Sequence, residues 1–229
     1  MNLFRSASHD NGGLSIFDAV QTPAELRLQT LSDGVFAVAM TLLVLEIKLP
    51  ATETSDPAHF AAALLALWPK VGAFLLSFII LARGWELHRY VFSYVVRYDH
   101  FIVYFNMIYL MAIALLPFST ALVGDHPQMK LAAAIYAGNF LFIGGTKLVM
   151  WNYATFNNRL VPKDLPPTFS LWLKRRLILS SCIIGAAIAL AFVYPAASIL
   201  LLLIYQVGMI LIPFFRPPKK SFPGASNQQ

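Results

Sequence analysis

The chain has 229 residues, of which 58% are hydrophobic and 12% charged, about half the charged share of a soluble domain. That balance excludes a soluble globular domain and points to an all-α protein of a lipid bilayer. The formal net charge of +6 has to be explained by where the cations lie before nucleic acid is considered, and the lone Cys182 excludes an intrachain disulfide and reads as a buried free thiol.

Residues 1–21 contain no continuous apolar run and no small-residue cleavage site, so they read as a cytosolic tail and not as a signal peptide. Thr22-Pro23-Ala24-Glu25 reads as a helix start: Thr22 caps, Pro23 suits the first helical position and Glu25 completes a capping box. The first helix is expected over 23–49, with 31–49 in the membrane. A spanning helix needs about 20 mostly apolar residues, and five more candidates follow. They are 62–84, with Lys70 at its outer end; 101–123, kinked at Pro117; 131–151; 173–193; and 196–215. Gly138, Gly144 and Gly145 in the fourth read as close-packing positions. Residues 152–170, with Pro162, Pro166 and Pro167, read as a cytosolic loop. Tyr194–Pro195 leaves almost no connection between the last two spans, which therefore form a tight hairpin. The expected organisation is one six-helix unit over 22–216, followed by a second polar tail at 217–229.

Placing both termini in the cytosol puts 14 of the 17 Lys and Arg residues on the inner side, with only Lys48, Lys70 and Lys130 outside. The positive charge is thereby a property of topology, and no nucleic-acid partner is needed. Trp68 near one face, and Trp85, Trp151 and Trp172 near the other, suit interfacial belts.

The first span keeps polar groups that a simple anchor would not. At about 100° per residue, Gly34, Ala37, Val38, Thr41, Leu45 and Lys48 share one sector, while Phe36, Met40, Leu43 and Ile47 lie opposite. Two readings compete. Small residues let helices approach closely, with Thr41 bonded to its own backbone; or the stripe lines a water-filled path made by several copies of this helix. Asp33 is an acid inside a span, a functional or locking group by default. Arg27 is a candidate partner for it, from a neighbouring helix or through a bend, and Ser32 can add a hydrogen bond.

Arg27-Leu-Gln-Thr-Leu-Ser-Asp33, followed by GVFAVAMTLLVLEI, resembles the first-helix signature of the transmembrane protein 175 family of potassium-permeable cation channels. Leu31 stands where that family usually has Phe. LLSFIILARGWELHRYVF (75–92), with Trp85, His88 and Arg89, is similar to the family's second helix, and NMIYLMAIALLPFSTALVGD (106–125) to its third. The resemblance covers about residues 22–126. It implies the bacterial, single-repeat form: a homotetramer in the plasma membrane whose four first helices line a central pore. It further implies a constriction at Val38, a selectivity ring at Thr41 and another apolar layer at Leu45, with Arg27, Ser32, Asp33, Trp85 and His88 as structural motif residues.

Nothing in the chain matches a backbone-carbonyl potassium filter, so side chains would have to select. Apolar rings gate by dewetting, and K⁺ sheds part of its hydration shell more readily than Na⁺. The expectation is a cation leak favouring K⁺, with a wider constriction than in relatives that carry Ile or Leu at the position of Val38. Asn106 is expected to bond a neighbouring helix rather than an ion. Lys48 is expected to reach solvent or an acid such as Glu46 of a neighbouring subunit. A secondary transporter would show a broken helix or inverted repeat, and none is clear. A pore conducting mainly protons is a further alternative. No catalytic arrangement and no metal-ligand spacing is defensible, so neither enzyme activity nor a resident cofactor is expected.

Overall fold

The computed structural model of the chain describes residues 23–48 and 57–211. In the described residues eight α-helices follow one another: α1 (Pro23–Val44), α2 (Pro57–Ala66), α3 (Trp68–Phe92), α4 (His100–Ala114), α5 (Leu116–Asp125), α6 (Lys130–Thr155), α7 (Pro167–Ala191) and α8 (Pro195–Leu211). Among the described residues there is no strand. Helical stretches over Leu26–Val44, Ala58–Phe92, His100–Asp125 and Lys130–Asn158 are long and apolar enough to cross a membrane. α8 is a shorter apolar helix, and α7 carries Lys174, Arg175 and Arg176 in its first half. The two tails and Thr22 lie outside the described residues.

Prolines set the breaks. Pro117 has no N–H for the carbonyl four residues back, and the third expected span divides there into α4 and α5 around Leu115. Pro69 acts in the same way between α2 and α3. α3 therefore begins at Trp68 and runs to Phe92, past the expected end of the second span at 84. α1 stops at Val44 rather than reaching 49. Leu45, Glu46 and Ile47 instead donate to carbonyls three residues back, at 3.1, 3.4 and 3.1 Å, a tightened final turn. Asp99 starts α4 by accepting a hydrogen bond from the Ile102 amide at 2.9 Å. The α7–α8 hairpin closes as expected: Tyr194 N–H donates to the Leu190 carbonyl at 2.8 Å, and the Ser198 hydroxyl to the Ala187 carbonyl at 2.7 Å.

The core has two regions. One gathers Phe36, Leu76, Leu81, Tyr109, Leu116, Tyr136 and Phe140 from α1, α3, α4, α5 and α6. The other, around the end of α3 and the start of α7, gathers Phe92, Ile102, Trp151, Phe169 and Leu173. Inside the first, the Ser77 hydroxyl meets Thr120 Oγ1 and the Tyr136 hydroxyl, each at 2.8 Å, so three buried polar groups satisfy one another. The segment after α6 is no loose loop. The Val96 and Arg97 amides donate to the Leu160 carbonyl at 2.9 and 3.3 Å, and Leu160 and Val161 are buried. Asn157 and Asn158 turn the chain at φ 50° and 51°, a region Asn tolerates.

Four expectations fail on side-chain direction. Trp151 is fully buried and forms no interfacial belt. Cys182 is exposed on the single chain. A Cβ built on Gly138 or Gly145 meets no atom within 4 Å, and one on Gly144 only Ser181 Oγ at 3.9 Å, so these glycines close no helix contact within the chain. Lys147, counted among the inner flanking cations, is 3% exposed inside the bundle. Each departs from the hydropathy reading because helix rotation, which hydropathy does not report, decides which way a residue faces.

Candidate functional site

The first helix presents two faces of opposite fate. Phe36 and Leu43 are wholly buried and Ala39 nearly so against the chain's own helices. Gly34, Ala37, Val38, Thr41 and Leu45 are exposed, with Val38 at 56% and Leu45 at 59%. The division follows the helical periodicity: Phe36 and Leu43 go where the subunit can bury them, and the uncovered side carries the small stripe together with Leu31, Leu42 and Val44. Leu45 is in the tightened turn beyond α1, not on its regular helix, and Lys48 is exposed in the segment that follows.

The buried face is held by α3 and α4. Phe36 packs on the rings of His88 and Tyr109, with centroids 5.8 and 6.0 Å away. His88 stacks almost parallel on Tyr109, 4.9 Å between centroids and 4° between planes, and meets Phe92 at 4.4 Å. Polar bonds sit beside this stack. Trp85 Nε1 donates to Asp33 Oδ1 at 2.8 Å. Asn106 Nδ2 donates to Ser32 Oγ at 3.0 Å, and Ser32 donates to the Leu28 carbonyl at 2.9 Å. An interhelical hydrogen bond within a membrane contributes about 0.6 kcal/mol on average, whereas emptying the site of a buried Phe costs about 3–5 kcal/mol. The aromatic stack therefore anchors α1, and the hydrogen bonds set its rotation.

Ser32, Asp33, Trp85 and His88 thus come together as a support for the first helix. Asn106 bonds a neighbouring helix, as expected. Arg27 does not join them: within the chain it forms no ion pair with Asp33, whose partner is Trp85. Arg27 instead lines an open groove of about 720 Å³ along α1, with Leu31, Gly34, Val38, Leu42 and Ala114. Tyr109 escaped sequence reasoning, since an aromatic residue in an apolar span looks like any other core residue. Lys147, whose Nζ lies 4.6 Å over the Tyr109 ring and donates to the Gly84 carbonyl at 3.2 Å, had a visible signal as the one cation interrupting the apolar run of α6.

Thr41 holds its hydroxyl proton inward: Oγ1 donates to the Val38 carbonyl, three residues back rather than four, at 2.8 Å. Its oxygen lone pairs remain on the exposed side of α1, a turn beyond Val38. Among the described residues no group of three or more His, Cys, Asp or Glu could hold a metal ion.

The family model described as the endosomal/lysosomal potassium channel TMEM175 matches residues 27–117. A protein of Chamaesiphon minutus named a potassium channel is 43% identical over 138 residues, covering 59% of this chain and 68% of that protein. One of Streptomyces collinus, also named a potassium channel, is 31% identical and covers 82% of this chain and 94% of its own. The crystal structure of a lysosomal potassium-selective channel TMEM175 homolog from Chamaesiphon minutus superposes with a TM-score of 0.74 at 33% identity, covering 82% of this chain and 97% of that one. A rat relative named an endosomal/lysosomal proton channel is 24% identical, and the chain spans 39% of its length.

Proposed function

The chain belongs to the TMEM175 family, and from that premise we propose that it is a potassium-permeable cation channel whose first helix lines the pore. It is an integral membrane protein and a channel, not an enzyme. The observation that carries the proposal is the division of α1: one face is locked into its own subunit by Phe36, Ser32 and Asp33, while Gly34, Val38 and Thr41 stay uncovered. In a homotetramer, four copies of that stripe would face a common axis.

On this reading Val38 forms an apolar ring at which a passing ion gives up part of its water. Thr41 then offers substitute oxygens, their protons already committed to the Val38 carbonyls. Partial dehydration costs K⁺ less than Na⁺, so the pore favours K⁺ modestly. Leu45 makes a further apolar layer in the turn that follows α1. The channel unit is a six-helix repeat over 22–216 between tails at 1–21 and 217–229, with both termini in the cytosol and a plasma-membrane setting. A proton-selective pore has less support, because the relatives of 31% and 43% identity are named potassium channels.

The test is the reversal potential of the purified protein in planar bilayers under a K⁺/Na⁺ gradient. K⁺ preference that weakens in Thr41→Ala, with currents that grow in Val38→Ala, supports the assignment. Currents indifferent to both substitutions remove the pore from this face. A saturating, exchange-type flux replaces the channel by a transporter.

A further inference from the structure

Away from the first helix, a half-open cavity of about 100 Å³ lies among α3, α4, α6, α7 and α8, larger than the roughly 15 Å³ that one water needs. Arg83, Lys147 and Arg176 line it, with Ser180 and Tyr205 as further polar groups, and no Asp or Glu lines it. A second cavity of about 280 Å³ shares Arg83, Leu87 and Arg176 with the first and adds Arg89 and Glu86.

The three cations share one protein anion, Glu86, which pairs with Arg83 and also acts on Arg176. Lys147, 3% exposed, has one carbonyl and one ring face for company. Arg176, 9% exposed, rests over the Trp172 ring at 5.5 Å. Arg83 pairs with Glu86, yet its Nε is buried with no hydrogen-bond partner among the described residues. Lys147 and Arg176 are withdrawn from water while Arg83 is partly exposed, and a withdrawn cation is costly without a compensating anion. The three also lie in one layer. Arg83 comes nine residues before the end of α3, Lys147 eight before the end of α6, and Arg176 nine after the start of α7. At 1.5 Å per residue this is about 12–14 Å in from one end of the bundle. Basic pockets between helices suit phosphate-bearing headgroups.

We propose that this cavity pair is a phosphate-binding site, filled by the headgroup of an anionic phospholipid or by free phosphate, with Arg83, Lys147 and Arg176 as its ligands. It serves the bundle rather than the pore, and does not depend on the channel assignment. The fork of an arginine accepts two phosphate oxygens at once, and Lys147 supplies a third point of positive charge behind them.

Thermal unfolding of the purified full chain in detergent tests this. It is read while titrating phosphatidylglycerol, phosphatidylcholine or inorganic phosphate separately, since a ligand that binds only the folded state raises the midpoint. Phosphatidylglycerol should raise the midpoint where phosphatidylcholine does not. Arg176→Gln and Arg83→Gln should each weaken the half-saturating concentration at least tenfold, and Lys163→Gln, in the loop before α7, should leave it unchanged. The same response to inorganic phosphate alone assigns the site to free phosphate. Arg83 is the more exposed of the two arginines, so Arg83→Gln carries the comparison if Arg176→Gln does not fold. No shift with either anion, or a shift that survives both substitutions, overturns the proposal.

Discussion

Trp85 donates its indole N–H to the Asp33 carboxylate across 2.8 Å, joining the third helix to the first. The bond explains how an acid is kept inside a span without a cation beside it, because an N–H donor aimed at a carboxylate makes a charge-assisted hydrogen bond. It also fixes the rotation of α1, and with it the direction in which Val38 and Thr41 point. Trp85→Phe should lower subunit stability by about 0.6–1.7 kcal/mol, the range for interhelical hydrogen bonds in membranes. A double-mutant cycle of Trp85→Phe with Asp33→Asn, followed by thermal unfolding, should return a coupling energy in that range. A coupling near zero would mean that the pair merely touches.

Phe36 and Val38 are two residues apart and should behave as opposites. Phe36→Ala empties a site enclosed by His88 and Tyr109 and should cost about 3–5 kcal/mol. Val38→Ala removes atoms that are already exposed and should change subunit stability by no more than about 0.5 kcal/mol while altering conductance. Unfolding curves of both variants, set beside their single-channel currents, check the division of labour between the two faces.

The hydroxyl triad at Ser77, Thr120 and Tyr136 is asymmetric. Tyr136→Phe leaves Ser77 bonded to Thr120, and Thr120 also donates to the Leu116 carbonyl at 2.8 Å. Ser77→Ala strands the Tyr136 hydroxyl, whose partner is Ser77. An unsatisfied buried donor costs about 1–3 kcal/mol, so Ser77→Ala should melt below Tyr136→Phe despite removing the smaller group. Equal melting temperatures would show that the tyrosine finds another acceptor.

Asp99 contributes a pH dependence of known sign. Desolvation would raise its pKa, but the Tyr153 hydroxyl at 2.6 Å, the Ile102 amide at 2.9 Å and the Arg159 guanidinium at 3.4 Å together hold it below the ordinary carboxylate value. The folded state therefore favours the ionised form. This contribution is fully present above the unfolded pKa of about 4 and is lost as pH falls through the lower folded value. Melting temperatures of wild type and Asp99→Asn should converge over that acidic window and separate above it. A constant difference across the window would remove the carboxylate from the linkage.

The membrane setting, the helical class and the two faces of α1 were legible in the sequence. All three follow from local quantities: apolar run length, the positions of Lys and Arg, and the 3.6-residue period. The support residues Ser32, Asp33, Trp85 and His88 were legible as a set, because polar groups in an apolar segment stand out. Their partners were not. Arg27, from a neighbouring helix or through a bend, is the partner the sequence suggests for Asp33; within the chain Asp33 bonds Trp85, a contact that depends on how α1 is rotated against α3.

The same cause separates the remaining cases. Trp151 and Lys147, at positions hydropathy would place near a membrane surface, point into the bundle. Cys182, an apolar-span residue, points out. Hydropathy measures whether a segment leaves water. In a bilayer, lipid and protein interior are nearly equal as apolar solvents, so hydropathy cannot tell which side of a helix meets which. The sequence by itself determined that helices form and which face of the first is small. Packing of Phe36 against His88 and Tyr109, and the gathering of Arg83, Lys147 and Arg176 in one layer, were decided only by the tertiary structure, because each joins helices far apart in the chain through shape and charge that no local pattern records.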